Sequence, residues 1–278
     1  MVARRDFYWS LLFIFEVIIL TIYDDLYFVY DGISSYSMGV IHVTVGKSGM
    51  LQETFAPTTK INEVSVRGRN RPYFIDTERD PLVIPMQITF NVDFSEERLE
   101  EIANWLIQPF YKELYFSNNP SKRYYTVFNG NSQLIHNGIR QGYIELEMRN
   151  IDSYRYSPII STPYYYEYEN NSNGTEFVID NDGSEPIFPS LDIEKTGDGD
   201  IRIINLSNGS QEFKLSGLVN GEMLEIDMED KSIETNLTGI YRYKNHNDIF
   251  LELPRGKNYL MVYGNCKLRW TYQFKYLS

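Results

Sequence analysis

Cysteine and histidine are scarce in this sequence. The 278 residues include one cysteine, Cys266, and three histidines, His42, His136 and His246. A single cysteine excludes an internal disulfide framework and a Cys-rich zinc or iron–sulfur site. Cys266 lies among apolar and aromatic strand residues, which predicts an inert buried thiol. The histidines are far apart and share no motif, so we expect surface or core residues rather than bases or metal ligands.

Positive charge is also in short supply. Lys and Arg number 26 against 38 Asp and Glu, which gives a formal net charge of -12. Proteins that grip nucleic acid neutralise its phosphates with Lys and Arg, so this balance argues against a phosphate-gripping binder. A surface along which DNA slides without sticking would tolerate the same sign of charge.

The sequence has no convincing motif for nucleophilic catalysis or phosphate binding. Residues 197–199 (GDG) lack a third glycine and precede a strand, so they are predicted to form a turn. Residues 180–183 (DNDG) lack the further acidic ligands of a calcium loop and predict a hairpin turn. Trp270, Tyr272 and Phe274 alternate along one strand, which favours a core stripe over a sugar-stacking surface. We therefore expect no enzyme, with no catalytic residue, no metal ligand and no cofactor.

The chain opens with an apolar run at residues 7–22 that follows Arg4 and Arg5. Its length suits a signal peptide or a short membrane anchor. However, Glu16 interrupts the run, and no small-residue cleavage motif follows it. A third interpretation, which we favour, is an extension that does not belong to the folded protein. We expect residues 1–22 to lie outside the fold.

Residues 93–110 carry the strongest helical pattern of the chain. An apolar face at i, i+3, i+4 and i+7 spacing opposes a face of glutamates, so the helix is expected to lie on a sheet. The two faces consist of Leu99, Ile102, Ala103 and Leu106, and of Glu96, Glu97, Glu100 and Glu101. Asp93 with Glu96 fits a capping box, Ser95 is a competing cap, and Pro109 ends the helix. We expect the helix over about residues 95–108, with the glutamates as a solvated face rather than catalytic carboxylates.

The rest of the sequence predicts strands. Short alternating runs extend to about residue 160, and a Tyr-rich and Asn-rich stretch at residues 163–174 marks a domain junction. After it, many short strands separated by turn signals predict a β-sandwich. The predicted fold is mainly β: an N-terminal β-sandwich-type domain at residues 23–160 with one inserted α-helix, followed by a β-sandwich at residues 161–278.

One basic cluster precedes the helix. It consists of Arg67, Arg69 and Arg71, with Arg79 a little further on. Two interpretations stay open: a solvated loop between the strands of a long hairpin, or an arm that contacts an acidic partner surface.

The order of several segments resembles the siphophage distal tail protein family. These segments are residues 26–32 (LYFVYDG), 102–106 (IANWL), 152–157 (DSYRYS), 181–186 (NDGSEP) and 251–259 (LELPRGKNY). The resemblance covers residues 23–278, and the apolar leader departs from the usual start of the family.

This resemblance implies a structural protein of the virion tail, assembled in the bacterial host cytoplasm. The first domain would form a homohexameric ring that joins the tail tube protein to tail-tip or baseplate proteins, with DNA passing in transit through its centre. The second domain would be a galectin-like β-sandwich, which in relatives carries receptor-binding proteins or touches host glycans. No membrane partner is implied for the folded part. We expect the hairpin around residues 61–79 to contribute to the ring contact.

Two other function classes stay open from the residues alone. The second sandwich could serve a carbohydrate-binding module or a host-surface adhesin. The apolar leader suggests a membrane-anchored surface enzyme, against which the missing catalytic constellation argues.

Overall fold

The computed structural model describes residues 27–43, 56–90, 95–137, 141–163, 166–168 and 174–277. The apolar leader at residues 1–22, the predicted cap Asp93 and much of the predicted junction at residues 163–174 lie outside these ranges. No helix in the described ranges has the length and apolar character needed to cross a membrane.

The described ranges of the first part contain strands of two to 13 residues and one α-helix. In order these are β1 (Phe28–Tyr30), β2 (Ile33–Ser34), β3 (Val40–His42), β4 (Thr59–Val64), β5 (Tyr73–Arg79), β6 (Val83–Phe90), α1 (Glu96–Leu106), β7 (Lys112–Phe116), β8 (Tyr124–His136), β9 (Gly142–Asn150), β10 (Arg155–Tyr156) and β11 (Ile160–Ser161).

A seven-stranded antiparallel sheet forms the body of this part. Its spatial order is β2-β1-β7-β8-β9-β6-β3, while β4 and β5 form a separate two-stranded hairpin. Helix α1 contributes to one core together with the buried residues of this sheet. The helix thus supplies the apolar layer that a second sheet would supply in a sandwich.

Helix α1 confirms the predicted helix. The Ser95 hydroxyl accepts a hydrogen bond from the backbone N–H of Arg98 at 3.3 Å, so Ser95 is the cap. The expected buried position of Ala103 is wrong, because Ala103 is exposed and Trp105 is buried instead. The indole stacks on Phe28 at 5.5 Å between ring centroids and donates to the carbonyl of Tyr30 at 3.0 Å. A large ring gains far more from burial than a methyl group, and the aromatic sheet face accommodates it.

The second part of the chain is made of strands and one short 3₁₀ helix at Arg242–Asn245. The strands are β12 (Tyr166–Tyr168), β13 (Thr175–Asn181), β14 (Ser190–Lys195), β15 (Gly199–Asn205), β16 (Gln211–Leu218), β17 (Met223–Asp227), β18 (Ser232–Thr235), β19 (Gly256–Tyr263), β20 (Cys266–Tyr272) and β21 (Lys275–Tyr276).

Two sheets face each other in this part. One has the order β11-β20-β14-β17-β18, with β12 also paired to β20, and the other has the order β13-β19-β15-β16. Inward residues of both sheets share a single core, in which Phe177 stacks on Trp270 at 5.6 Å between ring centroids. The mainly β fold with one inserted helix is therefore confirmed, and this part has the layered arrangement of a sandwich.

The last strand joins the two parts. β21 pairs with β10, which lies in the connection between them, rather than with either large sheet. The side chain of Gln273 donates to the carbonyl of Ser157 at 2.7 Å and accepts from the Tyr125 hydroxyl at 3.0 Å. Lys122 lies over the ring of Tyr276 at 3.3 Å. The end of the chain therefore contacts both units.

A buried ion pair between Arg242 and Glu222 lies in the second unit. Arg242 donates Nε to Oε1 of Glu222 at 2.7 Å and Nη2 to Oε2 at 2.6 Å. The Glu222 side chain has 0% exposure and the Arg242 side chain 8%. Burial alone would raise the pKa of Glu222, but hydrogen bonds from Arg242, Val219 and Thr235 outweigh it and lower that pKa. The pair ties the 3₁₀ helix to the turn before β17.

The segment after the 3₁₀ helix lies along β16. Asn247 accepts from the backbone N–H of Lys214 at 3.1 Å, donates its side-chain amide to the carbonyl of Glu212 at 2.8 Å, and donates its own N–H to the carbonyl of Lys214 at 3.3 Å. His246 is buried beside Phe213 and Phe250, with ring centroids 4.8 and 4.6 Å away. These contacts cover one edge of the four-stranded sheet.

We predict that replacing Trp105 with alanine destabilises the first unit by about 3–5 kcal/mol, because it removes a buried ring and its hydrogen bond. Urea unfolding followed by far-UV circular dichroism would measure this as an earlier first transition. Ile107→Ala is the control, since Ile107 is 52% exposed and should cost less than about 0.5 kcal/mol. Equal shifts in the two variants would contradict the assigned role of Trp105.

We also predict that His246 makes stability depend on pH. Burial lowers the pKa of His246, and its Nε2 donates to the carbonyl of Ile249 at 3.1 Å. The neutral ring therefore stabilises the fold above the unfolded pKa of about 6.5, and this contribution is lost as pH falls through the lower folded pKa. As pH falls from about 7.5 to 5.5, the free energy of unfolding of wild type should decrease more than that of His246→Phe. Parallel stability curves for the two proteins, from urea titrations at each pH, would rule this out.

Candidate interaction surface

The hairpin of β4 and β5 stands apart from both cores. β4 and β5 pair only with each other in the described ranges, from Thr59 opposite Arg79 to Val64 opposite Tyr73. All residues of β5 are exposed, and β4 has one half-buried residue, Asn62. A lone two-stranded hairpin is marginally stable in water, so this one is expected to be covered in its working state.

Large apolar side chains on the hairpin face solvent. Phe74 and Ile61 are each 64% exposed, and further exposed members are Val64, Val66, Tyr73 and Ile75. Tyr73 and Phe74 are consecutive in a strand, so they point to opposite faces. Both faces of the hairpin therefore present apolar surface, a pattern typical of protein contacts rather than of a solvated arm.

The predicted basic cluster divides between the two ends of this hairpin. Arg67, Arg69 and Arg71 lie in the turn between β4 and β5, where Arg69 covers the ring of Tyr73 at 3.9 Å. Arg79 is the last residue of β5 and lies at the base. The sequence cluster thus becomes a basic tip and one separate basal arginine.

The hydrogen bonds of the hairpin side chains are mostly internal. Asn62 donates to Asp76 across the strands at 2.7 Å, and Lys60 pairs with Asp80 at the base at 2.8 Å. Both contacts hold the strands to each other. They leave the apolar residues free to contact another surface.

The residues considered as possible bases, metal ligands or nucleophiles, which are the three histidines and Cys266, share no common site in the described ranges. His42 is buried on β3, His136 is exposed at the end of β8, and His246 is buried in the second unit. Burial raises the pKa of the Cys266 thiol to about 12, as expected for an inert thiol. Within the described ranges, no three His, Cys, Asp or Glu side chains are placed to hold a metal ion.

The two candidate ligand loops are turns. Gly197 donates its N–H to the Asn220 side chain at 2.7 Å, while Asp198 accepts from the N–H of Asn220 at 2.8 Å. In the other loop, Asn181 accepts from the N–H of Gly183 at 2.9 Å. The hairpin predicted at residues 180–183 is wrong, because Asp180 and Asn181 belong to β13, which pairs with β19 rather than with the next strand, β14. Their polar groups are used by the backbone, as the turn interpretation requires.

The predicted aromatic stripe belongs to the core. Trp270 is fully buried, and Tyr272 and Phe274 are half-buried against the same cluster. At the end of this stripe lies a cleft of about 230 Å³ beside the connection between the units. Its lining includes the rings of Tyr156, Phe188 and Tyr272 and the polar side chains of Ser190, Asp227 and Thr271.

Sequence reasoning missed the apolar residues of the hairpin. Their signal is the run Tyr73-Phe74-Ile75, three consecutive apolar residues between the Arg-rich turn and the polar end of β5. A half-buried strand is predicted from alternating apolar and polar residues. A run of consecutive apolar residues does not fit this pattern, because it makes both faces of the strand apolar.

Comparison with known proteins agrees with this architecture. A family model described as the phage tail protein N-terminal domain matches residues 23–152, and one described as the phage tail C-terminal domain matches residues 161–272. The SPbeta prophage-derived protein YomH of Bacillus subtilis (strain 168) is 30% identical over 251 residues, covering 90% of this chain and 98% of that protein.

A solved structure shares the fold. The crystal structure of the Dit protein of phage SPP1, described as a paradigm of the hub adsorption apparatus in phages that infect Gram-positive bacteria, aligns with a TM-score of 0.66 at 14% identity. The alignment covers 89% of this chain and 98% of that chain. The resemblance to distal tail proteins is therefore confirmed. The chain belongs to the family of phage tail proteins built from these two domains, a structural, non-enzymatic component of the virion tail.

Proposed function

We propose that this protein is a distal tail hub. Its copies form a hexameric ring that joins the tail tube protein to tail-tip or baseplate proteins, and DNA passes through the centre. The observation that carries the proposal is the β4–β5 hairpin, whose apolar side chains are exposed on both faces. The fold shared with a protein described as part of a hub apparatus supports the same role.

The hairpin suits a contact between copies. A closed ring needs a heterologous interface, in which one surface of a subunit meets a different surface of the next. A projecting arm on each copy that lies against the body of its neighbour satisfies this requirement. Burying side chains such as Phe74 and Ile75 in that contact contributes about 1.5–3 kcal/mol each, which offsets part of the entropic cost of association.

The two units divide the work in this proposal. Residues 23–160 form the ring, and residues 161–278 form a galectin-like sandwich that projects outward and carries a receptor-binding protein or touches a host glycan. Residues 1–22 lie outside the fold. The net charge of -12 supports a channel that repels DNA phosphates rather than gripping them.

Carbohydrate binding by the second unit is a second candidate function. The cleft beside Tyr156 favours it, because rings next to hydroxyl and carboxylate groups are the chemistry that recognises a sugar. This function is compatible with a ring and would place the sugar at the junction of the two units.

We predict that Arg67→Glu with Arg69→Glu shifts the assembled protein toward smaller species, because reversing the charge of the hairpin tip places like charges in the contact. Multi-angle light scattering would measure the mass. Arg255→Glu with Lys257→Glu is the matched control, with the same charge change on exposed residues of the second unit. An unchanged mass in the hairpin variant would refute the role of the tip in assembly.

For the second candidate function, we predict that the full-length protein binds neutral glycans on an array and that Tyr272→Ala lowers the signal at least tenfold, about the effect of losing one stacking ring. Tyr259→Ala is the control, since Tyr259 is exposed on the other sheet. A melting curve checks that Tyr272→Ala is folded. Absence of glycan binding by wild type would remove this candidate and leave the hub proposal untouched.

A further inference from the structure

The base of the hairpin is attached to the second unit by one side chain. Arg79 donates Nη1 to Oε1 of Glu185 at 2.8 Å and to the Tyr154 hydroxyl at 3.1 Å. Glu185 lies between β13 and β14 of the sandwich, and Tyr154 lies in the connection between the units. The hairpin therefore reaches across the junction from its base.

The other hairpin contacts do not leave the hairpin and its base. Lys60 bonds to Asp80, which follows β5 directly, and Asn62 bonds to Asp76 within the hairpin. Among the described hydrogen bonds and ion pairs of the side chains of β4 and β5, those of Arg79 extend beyond this base. Arg79 thus differs from its neighbours in what it connects.

The residues that accept hydrogen bonds from Arg79, namely Glu185 and Tyr154, are themselves fixed by backbone hydrogen bonds. The carbonyl of Glu185 accepts from the Asn181 side chain at 3.0 Å, and the same Asn181 amide donates to the carbonyl of Leu253 at 3.0 Å. The N–H of Tyr154 donates to Asp152 at 2.8 Å, and its carbonyl accepts from Asn150 at 2.6 Å. Because Arg79 contacts two segments that are themselves hydrogen-bonded, its contacts define the direction of the hairpin. A single exposed ion pair would not define that direction.

The contact between Arg79 and Glu185 is partly exposed to water. The side chains of Arg79 and Glu185 are 34% and 26% exposed, so neither is fully screened by water. A guanidinium that donates to a carboxylate and to a tyrosine hydroxyl is held more tightly than a solvated lysine. The hairpin pairs with no strand of the seven-stranded sheet, so the direction in which it projects depends on its base.

We propose that Arg79 sets the angle between the hairpin and the sandwich domain. Within the described ranges, the side-chain contacts of Arg79 are the ones that join the hairpin to the sandwich, so its direction follows the position of Glu185. Binding of the hairpin to a second copy of this chain is then coupled to the orientation of the sandwich domain. The coupling free energy is the same in both directions. The ring part of this statement rests on the proposed function, whereas the angle does not.

The angle is measured as a distance in the full-length protein. Spin labels on Asn70→Cys at the hairpin tip and Thr238→Cys on the sandwich occupy exposed positions. Buried Cys266 stays unlabelled. The doubly labelled protein is diluted with excess unlabelled protein, so that double electron–electron resonance reports distances within one chain.

We predict that Arg79→Met broadens the distance distribution. The population outside the main peak should rise about two- to fivefold, as expected when a partly exposed charge pair is lost. Lys60→Met is the matched control, because it removes a pair at the same base that does not reach the sandwich, and its distribution should match wild type. Glu185→Gln weakens the contact from the other side and should also broaden the distribution. It decides the outcome if Arg79→Met fails to fold.

An unchanged width in both Arg79→Met and Glu185→Gln would overturn the proposal, as would equal broadening in Lys60→Met. Electron micrographs of the same proteins separate this result from the hub proposal. Wild-type rings with sharp sandwich density, against Arg79→Met rings with blurred sandwich density, support both. If wild type forms no rings, the hub proposal fails, and the distance measurement still decides the role of Arg79.

Discussion

The large sheets of this protein and its β4–β5 hairpin have apolar faces that are unfavourable in water. They differ in which element packs against those faces. In the first unit helix α1 provides this cover, with Trp105 inserted between helix and sheet. In the second unit the two sheets cover each other. The β4–β5 hairpin receives no such cover from the described part of its own chain, which leaves its apolar side chains available to another molecule. The same physical requirement thus produces two cores and one contact surface.

The connection between the units is made from both directions along the chain. β10 leaves the first unit, and β21 returns to pair with it after the sandwich is complete. Contacts from Gln273 and Tyr276 reach residues of the first unit, while Arg79 reaches the sandwich. Since these attachments join residues far apart in sequence, forming them costs loop-closure entropy that the folded units must offset. The junction is consequently a tertiary structure in its own right.

Much of the fold was predictable because it follows local rules. The helix was visible from its periodicity and its stop signal, and the sandwich from short strands separated by turns. The burial of Trp105 in place of Ala103 was not predictable, because it depends on the aromatic side chains of the sheet that the helix packs against. The separation of Arg79 from the other arginines also could not be read from spacing, since it depends on the length of β5 and on a partner about a hundred positions away. The apolar hairpin does not follow from alternation, because Tyr73, Phe74 and Ile75 are consecutive and place apolar side chains on both faces of their strand.

The edge of β16 has one further consequence. Strands with free backbone groups invite other strands to add to them, which is how soluble β proteins become fibres. Here Asn247 occupies the N–H and carbonyl of Lys214 and the carbonyl of Glu212. This part of the edge is therefore closed to a strand from a neighbouring sandwich domain, which disfavours edge-to-edge aggregation where copies of the protein are crowded.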